Sequence, residues 1–160
     1  MQALVALGEL DIVEPMAREA LADAERQGDL RSAHFAHHFL ADTPLIRGDA
    51  ATAAPRYRRA LELAVALGDR SEAGFEIQGV AMAAAGMSQP VVRALTLGGA
   101  AAAEFDRLGV DLSGVPFWNA LLDRYFALAR TELGADAAEA AWQAGRQKAF
   151  DSAISEALAG

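Results

Sequence analysis

Three histidines, two phenylalanines and an aspartate fall within the nine residues "HFAHHFLAD", 34–42, and the chain has no histidine elsewhere. Imidazole and carboxylate are the side chains that hold borderline metal ions and move protons near neutral pH, so the spacing matters. At about 100° per residue on a helix, Phe35, His38 and Asp42 share one face while Ala33, His37 and Leu40 lie near the opposite one. His34 and His38 stand one turn apart and could share an ion. Asp42 is about 12 Å along the axis from His34, at roughly 1.5 Å per residue, and cannot join both. A zinc ion needs a third protein ligand from another helix, and Glu76 is the best placed by sequence. The metal reading is therefore His34, His38 and Glu76. The packing reading puts His37 between paired helices, His34 at a margin, and His38 with Phe35 and Asp42 on an exposed face. In that second reading Asp42 favours the His38 imidazolium.

The rest of the chain offers no competing chemistry. There is no cysteine, which excludes thiolate nucleophiles and cysteine zinc sites. Histidines confined to a turn and a half support no Ser-His-Asp arrangement. "LGGAAAAEF", from Leu97, has no preceding strand and no following lysine, so it fails as a phosphate loop and its small residues point to close helix packing. Arg47–Asp49 spell "RGD", but they fall where a turn needs glycine and a helix needs an aspartate cap. Arg56, Arg58 and Arg59 with Tyr57 are the only basic cluster; they spread around a helix, and Glu62 can pair with Arg58 or Arg59. Against 14 basic residues stand 22 acidic ones, a formal charge of −8, which opposes nucleic acid and anionic lipid as partners. The first residues, "MQALVALGELDIVEP", carry no basic leader and too short an apolar run to span a bilayer, so a soluble cytoplasmic chain is expected. That run also reads as a truncated helix whose partner lies upstream.

The elements that must position these residues are helices. Alanine, leucine, glutamate and arginine dominate, and no β-branched run alternates. The helix holding the histidines should run from about Arg31 to Arg47, with interior Pro44 bending it or restarting it. Gly8, Gly48 and Gly86, and in parallel Gly28, Gly68 and Gly109, recur at close to forty residues. Glycine just past a helix adopts the left-handed C-cap cheaply, and Asp29, Asp49 and Asp69 can cap the helices that follow. Each unit is thus a helical hairpin, and hairpins that cannot bury their apolar faces alone must stack. After residue 110 the period breaks. A helix entered at Pro116 and two shorter ones beyond it should cap the array, within one compact unit divided as 1–110 and 111–160.

Two resemblances follow from these residues. Leu40, Ala41, Gly48, Ala53, Tyr57 and Ala60 resemble the pattern of a tetratricopeptide repeat, with His37 and Val65 departing from it; the first unit shares Gly8, Ala20 and Leu21. The tail, with Leu133, Gly134, Ala141, Trp142, Gly145, Arg146, Ala153, Ala157 and Leu158, is similar to the C-terminal end of helical repeat regions in bacterial LuxR-type regulators and related signalling ATPases. The resemblance implies an all-α, right-handed superhelical array of antiparallel hairpins. It also implies a non-enzymatic scaffold within a larger transcriptional or signalling protein. Such arrays take a peptide, a protein or a small inducer in a concave groove, here expected at Phe35, His38, Asp42, Glu76 and Val80. Trp118, Tyr125, Phe126 and Trp142 are expected in the core. The alternative is a metal-dependent catalyst or sensor at His34 and His38. Self-association through an uncovered end face is a further expectation.

Overall fold

A computed structural model of the chain describes residues 1–87 and 90–159. Among them are nine helices and no strand: α1 (Gln2–Ala6), α2 (Leu10–Gln27), α3 (Leu30–Ile46), α4 (Ala50–Ala66), α5 (Arg70–Gly86), α6 (Val91–Leu108), α7 (Pro116–Leu133), α8 (Ala135–Arg146) and α9 (Phe150–Ala159). From α2 to α6 each helix packs on the next; α8 then packs on α6, and α7 bridges α5 and α6. No helix among the described residues is long and apolar enough to cross a membrane.

The turns form as their residues dictate. Gly48 sits at φ +88°, a backbone region open to glycine, and Asp49 beside it accepts a hydrogen bond from the Thr52 amide at the start of α4. Asp29 and Asp69 cap α3 and α5 in the same way. The "RGD" tripeptide is thereby consumed by structure, since Arg47 also pairs with Asp11 and Glu14 of α2. Truncating the cap, Asp49→Ala, should lower stability by about 1 kcal/mol. The check is a urea melt in which the midpoint falls and the slope does not change.

One expectation needs correction. Gly86 is no turn glycine: it is the last residue of α5, and a Cβ there would lie 2.7 Å from the Tyr125 ring and 2.8 Å from Ala50 Cβ. Its neighbour Ser88 in "GMS" is outside the described residues. Pro44 neither restarts nor ends its helix, because α3 continues through it to Ile46; Pro15 and Pro55 are likewise interior to α2 and α4. The expected pairing of Glu62 falls to Arg59 rather than Arg58.

α5 is the axis of the molecule. From Ala73 to Ala85 every residue is buried except Phe75, which is partly covered, as befits a helix packed by α3, α4, α6, α7 and α9. Glycines let neighbours come close: the Tyr57 ring of α4 rests on Gly79, and the Phe105 ring of α6 on Gly74. Such a helix should be apolar throughout, yet its middle carries Glu76 and Gln78, both buried. Their partners define the candidate site.

Candidate functional site

Glu76 is fully buried, and its Oε1 accepts two hydrogen bonds from α3, from His34 Nε2 at 2.9 Å and from His38 Nδ1 at 2.8 Å. The other nitrogen of His38 faces Asp42 Oδ2 at 3.4 Å, close enough for charge attraction though short of hydrogen-bond geometry. Tyr57 on α4 donates to Asp42 Oδ1 at 2.7 Å. Five polar side chains from three helices therefore form one chain: Tyr57, Asp42, His38, Glu76, His34. Two oxygens in it, Asp42 Oδ2 and Glu76 Oε2, have no hydrogen-bond partner among the described residues.

With a carboxylate against each ring nitrogen, His38 is held as the imidazolium. Burial alone would lower its pKa, but the charges of Asp42 and Glu76 and the Glu76 hydrogen bond outweigh it and raise the pKa to about 10. Burial also opposes ionisation of Glu76, and there the His38 charge and both imidazole hydrogen bonds win, leaving its pKa below the ordinary value. For Asp42 burial prevails over His38 and Tyr57, and the pKa is raised. Burial and the adjacent Asp42 push the Tyr57 phenol well above its usual value. The Trp118 indole lies over the His38 ring, 5.5 Å between centroids at 31°, and gives the buried cation a π-face. Trp118 is itself fixed by donating to Gln78 Oε1 at 2.7 Å.

Above this network a cavity of about 120 Å³ opens to solvent. Phe35 and Phe39 of α3, Phe75 of α5, and Phe117 and Trp118 of α7 form aromatic walls, while His38, Glu72 and Gln2 of α1 supply the polar part. Glu72 is one turn before Glu76. Burial raises its pKa, offset in part by His34 and His38, and among the described residues no side chain hydrogen-bonds its carboxylate. Ligand atoms of His34, Glu72 and Glu76 lie within 4.8 Å of one another.

No family model, curated protein or solved structure matches the chain.

The residues expected from sequence are distributed differently from the expectation. Phe35 and His38 do line an opening, but Asp42, Glu76 and Val80 are buried at 0%, 0% and 2% exposure and face no open groove. The reason is that α3 has α2, α4 and α5 packed around it, leaving only its N-terminal half beside the cavity. His34 is not marginal either: it is 1% exposed and bonded to Glu76. His37 points away from the network toward Arg56, whose Nη1 is 3.4 Å from its Nδ1. Burial, then the charges of Arg56 and Arg59, lower its pKa. His34, His38 and Glu76 are together as the metal reading required, yet the set that converges in ligand geometry replaces His38 with Glu72. Sequence reasoning missed Glu72, Phe39, Phe75 and Phe117. Glu72 carried a signal, since the i, i+4 spacing to Glu76 puts both on one face.

Proposed function

We propose that the chain is a non-enzymatic binding module that takes its ligand in the aromatic cavity between α3, α5 and α7. The observation that carries this reading is the cavity itself, with five aromatic side chains around one carboxylate, one imidazolium and the Gln2 amide. Such a lining buries a flat apolar group, while the Glu72 carboxylate accepts from a donor on it. Both nitrogens of His38 are directed at carboxylates, so no free imidazole lone pair is left for general-base work, which favours binding over catalysis.

The architecture we propose for this module is a tetratricopeptide-like, right-handed superhelical array of antiparallel hairpins with a helical cap. It serves as the cytoplasmic sensory or regulatory part of a larger bacterial transcriptional or signalling protein. Glycine-aspartate turns every twenty residues at Gly28, Gly48 and Gly68, hence one hairpin per forty, and the packing of each helix on its sequence neighbour support it. Occupancy would be read through α7, because Phe117 and Trp118 sit at the cavity and Tyr125, two turns on, donates to the Leu45 carbonyl of α3 at 2.6 Å.

A Trp142→Phe chain leaves Trp118 as the sole indole and makes the cavity its own reporter. In a screen of aromatic small molecules and short aromatic peptides, binders should change Trp118 emission, and Phe117→Ala should weaken them by roughly tenfold, the worth of one buried aromatic contact. Binders that leave Trp118 emission unchanged and ignore Phe117→Ala would place the functional surface elsewhere.

A further inference from the structure

Carboxylates, two of them fully buried, outnumber the imidazoles that meet them beneath the cavity. Asp42, Glu72 and Glu76 converge on two imidazoles, and among the described residues no lysine or arginine side chain pairs with any of the three. Charges in a protein interior are paired or they coordinate metal ions. Among the described residues one oxygen of the fully buried Glu76 has no hydrogen-bond partner, and the Glu72 carboxylate has none either.

We propose that His34, Glu72 and Glu76 form a site for one divalent transition-metal ion of the zinc type, entered through the aromatic cavity. The donor set is one imidazole nitrogen and two carboxylates. This is the three-ligand arrangement that leaves a fourth position open for water or an exogenous ligand. His34 Nε2 and Glu76 Oε1 are 2.9 Å apart as a hydrogen-bonded pair, so an ion about 2.1 Å from each takes the place of the shared proton and opens the pair to the roughly 3.4 Å of tetrahedral ligands. Glu72 closes the set: all three ligand atoms are within 4.8 Å of one another, two bonds of about 2.1 Å span at most about 4.2 Å, and its partly exposed side chain has room to move inward. His38 keeps its bond to Glu76 and so orients the carboxylate from outside the coordination sphere, the place of a supporting partner. The open position faces the cavity, because Glu72 is at once a ligand and part of the cavity wall. Imidazole selects this class of ion over magnesium, whose preference is for oxygen donors and water. The site does not depend on the organic ligand proposed above.

The test is calorimetric titration of the chelator-treated full chain with zinc chloride, followed by imidazole NMR. One ion per chain should bind with micromolar affinity or better; the His34 ring signals should shift, and those of His37, on the other side of α3, should not. Glu72→Gln touches no internal hydrogen bond and leaves the fold intact, yet it should weaken zinc more than roughly tenfold, since outer-shell partners alone are worth that much. Magnesium should leave the His34 signals in place. The proposal is overturned by absence of stoichiometric binding at submillimolar zinc. Equally decisive against it is zinc binding that neither moves His34 nor responds to Glu72→Gln, which would put the ion on surface carboxylates.

Discussion

Glu76→Ala is expected to cost about 3–5 kcal/mol in urea unfolding of the metal-free chain, the range found when one partner is removed from a buried, paired charge. A domain of ordinary stability holds about 5–15 kcal/mol, so this single change takes the chain close to unfolding. The size follows from what is left behind. His34 Nε2 and His38 Nδ1 both lose their acceptor, and His34, 1% exposed, has no water to replace it. His38 also loses one of the two charges that hold it as the imidazolium under Trp118. Glu76→Gln keeps the volume and one acceptor oxygen and should cost less than alanine. Glu62→Ala is the internal comparison: its pairing with Arg59 is exposed on both sides, and its loss should amount to less than about 1 kcal/mol. A double-mutant cycle with His34→Ala should show a coupling of the order of 1 kcal/mol or more, because the two side chains share one bond. Glu76→Ala within 1 kcal/mol of the parent chain would mean that the carboxylate is not the centre of the network.

What the sequence told of this site depended on whether the deciding interaction was local. The Gly48 turn and the caps at Asp29, Asp49 and Asp69 could be read because each is set within a few residues of itself. Gly86 was misread because a glycine required by a neighbouring ring inside a helix looks the same in sequence as one required by a turn. The wheel of α3 separated His37 from His38, and the structure keeps them apart, on Arg56 and on Glu76. It could not say what covers each face. Asp42 has the polarity of a surface residue and 0% exposure, because Tyr57 comes from α4 with a hydroxyl to meet it. Nor did the sequence show Phe75 and Phe117 as neighbours: they belong to helices that meet only when α7 folds back on α5. Gly79 was equally silent, although the Tyr57 ring reaches α5 only because that position lacks a Cβ.

Gly145→Ala should destabilise the chain by about 2 kcal/mol, although alanine is the better helix former by about 1 kcal/mol. The sign is decided by what a Cβ would meet. At Gly145 in α8 it would run into the Thr96 carbonyl of α6, and at Gly99 in α6 into the Trp142 carbonyl of α8. Both obstacles are backbone, which has no rotamer to move aside, so the helices must separate along their whole crossing. Separation breaks the Thr96 hydroxyl contact to the Ala141 carbonyl and lifts the Trp142 ring from Phe126, 5.5 Å away between centroids. Phe126 is on α7, so slack at this crossing reaches the helix that carries Phe117 and Trp118 into the cavity. Thermal melting should therefore show a fall of about 4–8 °C for Gly145→Ala. Gly114→Ala, where nothing lies within 4 Å of the added carbon, should be neutral or slightly stabilising. In a single-tryptophan background, Gly145→Ala should also alter Trp118 emission before any ligand is added. A Gly145→Ala chain as stable as its parent, with Trp118 emission unchanged, would show that α8 does not brace the cavity through α7.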